Sequence, residues 1–289
     1  MNRTTMLRTL SAFAFAGAAA VAQATCLSDL DAALMAARYA NLEPADNPGP
    51  MSLADAECTR DKLVGFIGQR LGPRAGYKAG LTNPAVQKRF GHDRPVRGVL
   101  FADMLLPSGA ELPARFGARP LFEADLMVRV KDAGIHGAKT PAQVLRHIDA
   151  IIPMIELPDL LVRDPSRLDG AGVTAINVGA RWAVLGAEIK PVPGMETQLE
   201  RMVVRVLDGN GQELDRGQGT DLLGNPLQAV IWLAEDLARS GVRLKKGDLL
   251  SLGSFSKLLP PKPGLQVRVV YEGLGGPGAA PEVRVGFRE

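Results

Sequence analysis

The pattern of apolar residues changes once along this chain, near Gly76, and that change limits the folds it can adopt. Before it, two segments with helical spacing begin near Ser28 and Ser52, each followed three positions later by an aspartate. After it, short strand-like runs are separated by turns rich in glycine and proline. Strands and helices do not alternate strictly there. We therefore predict a mixed α+β fold, with a small helical segment over 25–75 and a strand-rich body over 76–289.

The first 24 residues have the features of a secretory signal peptide. Arg3 and Arg8 give a positive start, residues 10–21 are apolar, and the small residues that follow form acceptable cleavage sites. We expect residues 1–24 to be removed on export, so that the mature protein works in the periplasm. An uncleaved membrane anchor is the alternative, although the apolar stretch is short for a span.

The charge of the mature chain is nearly balanced. Removing residues 1–24 takes away two arginines and no acid, which lowers the formal net charge from +3 to +1. Outside the N-terminus, no apolar run is long enough to span a membrane. The composition therefore gives no basis for binding nucleic acid or, after signal cleavage, a membrane.

The chain contains two cysteines, Cys26 and Cys58, and both follow the signal peptide. An even number of cysteines in an oxidising compartment favours a disulfide, which would tie the two predicted helices together and contribute roughly 3 kcal/mol. Two unrelated thiols are the alternative. The three histidines are scattered without the ligand spacing of a zinc site.

Three acidic residues are candidates for a metal site. Glu123 and Asp125 lie two positions apart in a strand of period two over 122–131, so their carboxylates project from the same face and repel unless a cation or proton intervenes. Glu156 ends a very apolar predicted strand over 150–157, where a carboxylate needs a partner. Three such carboxylates would suit Mg²⁺ or Mn²⁺. On the pattern alone, solvated surface acids remain the alternative.

Several short motifs lie in a fixed order over roughly residues 30–289. They are Gly76-Tyr77-Lys78-Ala79-Gly80-Leu81-Thr82, Leu100-Phe101-Ala102-Asp103-Met104, Phe122-Glu123-Ala124-Asp125, Ile155-Glu156-Leu157-Pro158-Asp159, a helix beginning Pro226-Leu227, and then Gly247-Asp248, Gly253-Ser254 and Lys262-Pro263-Gly264. Together they resemble the motifs of 2-keto-4-pentenoate hydratases, which belong to the fumarylacetoacetate hydrolase superfamily. The joint spacing is specific, whereas each motif alone is weak.

The resemblance implies a fumarylacetoacetate hydrolase-like catalytic domain over 76–289 that uses Mg²⁺ or Mn²⁺. The family's site residues fall on these positions: metal ligands Glu123, Asp125 and Glu156; catalytic residues Lys78, Asp103 and Asp159; and substrate-binding residues Ser254 and Ser256. In this interpretation Lys78 approaches the substrate carboxylate or moves a proton. The family also implies a homo-oligomer, with a small 2-oxo acid as substrate.

The implied reaction is that of a lyase, which adds water to a small 2-hydroxydienoate or related 2-oxo acid through a metal-stabilised enolate. Decarboxylation and hydrolysis of an acylpyruvate C–C bond use the same chemistry and stay open. A non-catalytic periplasmic protein that binds a small acid is an alternative of a different class.

Three features depart from the family pattern. Asp125 is one methylene shorter than the glutamate usual there, and Ile176 stands where many hydratases have an aspartate. Ser256 replaces a common threonine, with Lys257 adding a charge beside it. These departures leave the substrate and the reaction open.

Overall fold

Two helices begin the part of the chain that the computed structural model describes, which is residues 25–276 and 278–289. The predicted signal peptide lies outside these described residues. Helix α1 spans Asp29–Ala40 and α2 spans Leu53–Ile67. The hydroxyls of Ser28 and Ser52 accept hydrogen bonds from the backbone N–H groups three residues later, 3.1 Å away in both cases. These caps confirm both predicted helix starts.

A disulfide joins Cys26 to Cys58, with the two Cα atoms 5.6 Å apart, and it confirms the predicted pairing. It ties the segment before α1 to the middle of α2. Met35 and Leu63, on the inner sides of these helices, belong to the same hydrophobic core as the strands that follow. The helical segment thus packs into the body, and the boundary near residue 75 stays a prediction.

The rest of the described chain is rich in strands, as predicted. The strands are β1 (Arg74–Gly80), β2 (Val96–Phe101), β3 (Leu105–Pro107), β4 (Ala110–Pro113), β5 (Glu123–Val130), β6 (Ile148–Leu157), β7 (Trp182–Leu185), β8 (Val203–Asp208), β9 (Glu213–Gln218), β10 (Leu249–Ser251), β11 (Gln266–Glu272) and β12 (Glu282–Arg288). The remaining α-helices are α3 (Pro84–Arg89), α4 (Pro141–Arg146), α5 (Gly170–Ala175), α6 (Met195–Arg201) and α7 (Leu227–Arg239).

These strands form two sheets within the described residues. The larger has the order β2-β1-β10-β5-β6-β7-β3, and the smaller has the order β4-β12-β11-β8-β9. Parallel and antiparallel pairs occur in both sheets. Because helices and strands are mixed without strict alternation, the structure confirms the α+β prediction.

The strand that carries Glu123 and Asp125 is more buried than its alternating pattern predicted. β5 is the central strand of the larger sheet, and Asp125 and Met127, on its predicted polar face, are both fully buried. The adjacent strand β6 contacts β11 and β12 of the smaller sheet as well as helix α4. The prediction of a half-buried strand was therefore wrong, because both faces of the sheet are covered at its centre.

Helix α6 was not predicted. It follows Gly194, whose φ is 85°, and it has no side-chain cap, so it lacks the usual signal of a helix start. Arg201 ends this helix, and strand β8 follows from Val203. No described helix is long and apolar enough to cross a membrane.

Candidate active site

A cavity of about 550 Å³ brings together many of the predicted site residues. Lys78 on β1, Glu123 on β5 and Glu156 on β6 line it. Ser254 and Ser256 line it from the loop that follows β10. Three different strands and one loop therefore position the side chains on which the sequence prediction depended.

Strand pairing places two of the carboxylates face to face. β5 and β6 run antiparallel, and their register sets Glu123 directly opposite Glu156. Directly opposite residues of an antiparallel pair project from the same face with Cβ atoms about 5 Å apart. Asp125 lies two positions along β5 and projects from that face as well. The sheet thus brings Glu156, which is distant in sequence, to the same face as Glu123 and Asp125.

Lys78 supplies positive charge to these acids. Its side chain is 3% exposed, and its Nζ donates hydrogen bonds to the Glu156 carboxylate and, at 3.0 Å, to the carbonyl oxygen of Val178. Gly98 pairs with Lys78 across β1 and β2, and a Cβ there would lie 2.9 Å from Lys78 Cγ. Burial lowers the pKa of Lys78 to about 8, although the charges of Glu123 and Asp125 oppose this shift.

The carbonyl that binds Lys78 belongs to a strained segment that no sequence pattern predicted. Asn177 and Val178 have φ angles of 56° and 54°, a left-handed conformation that is rare for a β-branched residue. The Asn177 side chain holds the segment in place, because it accepts a 2.7 Å hydrogen bond from Val99 N and donates one of 3.0 Å to Val99 O. Ile176 itself is buried in the hydrophobic core.

Asp125 is fully buried and is fixed by the chain around it. Its Oδ1 accepts hydrogen bonds from the backbone N–H groups of Leu126 and Gly253, at 2.5 and 2.9 Å, and its Oδ2 accepts one from the Ser251 hydroxyl at 2.7 Å. Gly253 has a φ of +109°, and a Cβ there would lie 1.9 Å from Thr82 Oγ1. Glycine is therefore needed to present this N–H. Burial raises the pKa of Asp125.

Glu123 is partly exposed and faces the cavity. Burial raises its pKa to about 7, and the charge of Asp125 adds to the shift, whereas Lys78 opposes it. The adjacent loop is anchored here, because the Ser256 hydroxyl accepts a 2.9 Å hydrogen bond from Ala124 N. Ser254 in turn donates a 2.7 Å hydrogen bond to Ser256 O.

The donor atoms fit a hard divalent cation, because all of them are carboxylate oxygens. Glu123 and Glu156 line the cavity, whereas Asp125 is fully buried beside them, with its Oδ2 accepting a hydrogen bond from Ser251. In this structure the Lys78 ammonium supplies the positive charge beside Glu156. The described residues contain no group of three acids, histidines or cysteines arranged to hold a metal ion. The assignment of Glu123, Asp125 and Glu156 as metal ligands stays a prediction.

Asp159 and Asp103 were predicted to line the site, but neither lines this cavity. Asp159 is buried behind it, where it accepts hydrogen bonds from three backbone N–H groups and forms an ion pair with Arg181 at 3.0 Å. Asp103 is exposed and lies beside Gly72. The structure therefore places Asp159 in a buried hydrogen-bond network and Asp103 at the surface, and their catalytic roles stay predictions.

Comparison with known proteins identifies relatives that cover most of the chain. No family model matches it. The chain is 32% identical over 251 residues to the 2-keto-4-pentenoate hydratase of Paraburkholderia phymatum, a match that spans 86% of this chain and 91% of that relative. It is 28% identical over 200 residues to the 4-oxalocrotonate decarboxylase of a Pseudomonas species, across 69% of this chain and 74% of that relative.

The fold is also similar to a solved structure. The 4-oxalocrotonate decarboxylase from Pseudomonas putida G7, complexed with magnesium and adipate, superposes with a TM-score of 0.77 at 26% identity, over 91% of this chain and 100% of that chain. This similarity confirms the expected fumarylacetoacetate hydrolase-like fold with helices at its N-terminal side. On this fold and on the sequence identity to the hydratase, the chain belongs to the 2-keto-4-pentenoate hydratase family of the fumarylacetoacetate hydrolase superfamily.

Proposed function

We propose that this protein is a divalent-metal-dependent hydratase that acts on a small 2-hydroxydienoate or related 2-oxo acid. Mg²⁺ or Mn²⁺ would be held by oxygens of Glu123, Asp125 and Glu156. The observation that carries the proposal is the pairing of Glu123 with Glu156 across β5 and β6, beside the buried Lys78 in one cavity. Buried acids with incomplete charge compensation are typical of sites that bind a cation.

A divalent ion in this position would accept the carboxylate and keto oxygens of a 2-oxo acid and stabilise the negative charge that develops on the keto oxygen. Lys78 would move the proton, because a pKa of about 8 leaves part of its Nζ neutral near neutral pH. Its hydrogen bonds to Glu156 and Val178 O fix that atom at the cavity wall. The dienol would become its 2-oxo form when its hydroxyl proton passes to Lys78 Nζ and a proton is delivered from there to a substrate carbon, and water would then add H and OH across the remaining double bond.

Decarboxylation is the second candidate reaction. It is favoured by the similarity in fold to a 4-oxalocrotonate decarboxylase over the whole of that chain. The same residues would serve both reactions, because each requires negative charge on the keto oxygen and a proton delivered to carbon. The products distinguish them, since decarboxylation releases CO₂ whereas hydration consumes the dienol without gas release.

Metal binding can be tested through stability. A ligand present at one hundred times its Kd stabilises the folded state by about 2.7 kcal/mol, which for a chain of this size corresponds to a rise in Tm of roughly 5 °C. We expect Mg²⁺ or Mn²⁺ to raise the Tm of the mature protein and EDTA to reverse the effect. Glu123→Gln should remove the shift.

Glu111 offers a matched control, because it is an exposed glutamate on β4 that does not line the cavity. Glu111→Gln should keep the full metal-dependent shift. A wild-type Tm that ignores both ions would contradict the proposed metal site. Metal binding without turnover of a 2-hydroxydienoate, followed by its ultraviolet absorbance, would instead favour a non-catalytic protein that binds small acids.

We also propose that the chain is exported to the periplasm and loses residues 1–24. The Cys26–Cys58 disulfide supports an oxidising compartment. Cell fractionation followed by N-terminal sequencing should find the protein outside the cytoplasm and beginning near residue 25. Recovery of the uncleaved chain from the cytoplasm would contradict export.

A further inference from the structure

The exposed part of the cavity wall carries three basic side chains, Arg89, Arg216 and Lys257. Two of them have acidic partners. Arg216 binds Glu213 through two hydrogen bonds of 2.6 and 2.7 Å, and the Lys257 ammonium lies 3.9 Å from Asp215 Oδ1. For Arg89 no carboxylate of the described residues lies within ion-pair distance. Among the basic side chains that the structure describes on this wall, Arg89 is therefore the one without an acidic partner.

Arg89 is held at the cavity by its neighbours. It is the last residue of α3, and its guanidinium carbon lies 5.6 Å from the centroid of the Phe90 ring. Phe90 is buried and lines the same cavity. Contact between a guanidinium and an aromatic face restricts the arginine side chain while leaving its N–H groups free to bind another group.

The wall of the cavity changes character along its length. Lys78, Glu123 and Glu156 are charged, whereas Leu81, Val86, Phe90, Leu160 and Val173 form apolar wall. A volume of about 550 Å³ falls within the range of roughly 300–1,000 Å³ that encloses ligands much larger than a three- or four-carbon acid. The apolar wall suits a hydrocarbon chain that extends beyond the 2-oxo acid group.

We propose that Arg89 is a specificity-determining residue that binds a second carboxylate at the far end of the substrate. The planar guanidinium matches a carboxylate through two parallel hydrogen bonds. The substrate class is then a 2-oxo or 2-hydroxyenoic dicarboxylate whose two acid groups are separated by a short hydrocarbon chain. This inference rests on the proposed function, because it takes the 2-oxo acid group to bind beside Lys78.

Two acids that differ at one end test the assignment. 2-Oxoadipate and 2-oxohexanoate share the 2-oxo acid group and a six-carbon chain, but only 2-oxoadipate ends in a carboxylate. Calorimetry with the mature protein and Mg²⁺ should show 2-oxoadipate binding about tenfold more tightly, as expected for a hydrogen-bonded charge pair that is partly exposed. Arg89→Met should abolish this preference, and added salt should weaken it in the wild type.

Lys88 provides a matched control, because it precedes Arg89 on α3, is exposed and does not line the cavity. Lys88→Met should keep the tenfold preference. Equal binding of the two acids, or a preference that survives Arg89→Met, would overturn the role of Arg89 while the proposed function stands. Failure of both acids and of pyruvate to bind in the presence of Mg²⁺ or Mn²⁺ would overturn the proposed function and the inference together.

Discussion

Two of the carboxylate centres in the described part of the chain compensate their charge very differently. At the Asp159 centre, one carboxylate accepts hydrogen bonds from Ala118 N, Arg119 N and Leu161 N and pairs with the buried Arg181. At the Glu123/Glu156 centre, those two glutamates and Asp125 share one buried lysine, Lys78. The first centre is neutral and fully hydrogen-bonded, whereas the second holds an excess of negative charge.

This difference in charge compensation distinguishes a carboxylate that stabilises the fold from carboxylates that we expect to bind a ligand. A buried carboxylate with a complete set of partners stabilises the chain segments that it joins. Asp159 joins the segment before β5 to the turn after β6. Its partner Arg181 also donates a 2.5 Å hydrogen bond to Tyr39 O, which links the end of α1 to the same centre. A group of carboxylates with too little positive charge costs free energy in the folded state unless a cation or proton is bound. We therefore expect ligand binding at the second centre and only stability from the first.

The largest effect should come from Asp159→Ala. The substitution leaves the Arg181 guanidinium, 5% exposed, without its carboxylate, and breaking a buried pair in this way costs about 3–5 kcal/mol. Urea denaturation should show this loss in the free energy of unfolding, with or without Mg²⁺. Asp159→Asn keeps one acceptor oxygen and should lose less. A loss below about 1 kcal/mol for Asp159→Ala would break the proposed distinction between the two centres.

Glu156→Gln should change stability little and catalysis strongly, which is the reverse of the effect expected for Asp159→Ala. Lys78 keeps the charges of Glu123 and Asp125, so the free energy of unfolding should change by no more than about 1 kcal/mol. Deuterium exchange at C3 of a 2-oxo acid in D₂O, which reports loss of a carbon-bound proton, should slow by about a hundredfold because the developing charge is less stabilised. If Glu156→Gln instead destabilised the chain as much as Asp159→Ala, the two centres would be alike.

Metal affinity should depend on pH through Glu123. Its pKa is raised to about 7, and a cation must displace the proton of the acid. Each pH unit below 7 then weakens binding up to tenfold, so calorimetry at pH 5.5 should give an affinity for Mn²⁺ about thirtyfold lower than at pH 8. An affinity that is constant over this range would show that the acid is already ionised.

The raised pKa of Glu123 also determines how the free energy of unfolding of the metal-free protein changes with pH. A carboxyl group with a folded-state pKa raised from 4.5 to about 7 contributes stability below pH 4.5 that is lost as pH rises through 7. The free energy of unfolding should therefore decline over this window in EDTA. Glu123→Gln should remove the part of the decline that comes from this acid, because glutamine does not titrate.

Much of the candidate site could be predicted from local sequence. The spacing of Glu123 and Asp125 gave one face of a strand, and Glu156 stood out as a charged residue at the end of an apolar run. Both were recognisable because strand geometry repeats every two residues. The two N-terminal helix starts were equally local, because a cap depends on residues three positions apart.

Other features of the site depend on tertiary contacts and could not be predicted from local sequence. The left-handed Val178 is held by the side chain of Asn177 against the edge strand β2, and no local pattern predicts such a conformation. Asp159 lies only three residues after Glu156, but β6 ends at Leu157 and the chain turns so that Asp159 pairs with Pro120. One motif thus supplies both a cavity residue and a structural residue, and only the path of the chain separates them.

The smallest effect should come from Asp103, which belongs to neither centre. It is exposed in a short helical turn over 102–104 and lies beside Gly72. Asp103→Asn should change the free energy of unfolding by less than about 0.5 kcal/mol, and it should leave both Mn²⁺ affinity and C3 exchange unchanged. A tenfold loss of exchange with normal stability would show that an acid outside the cavity takes part in the chemistry. Charge compensation at the cavity wall would then no longer suffice to decide which carboxylates of this chain are functional.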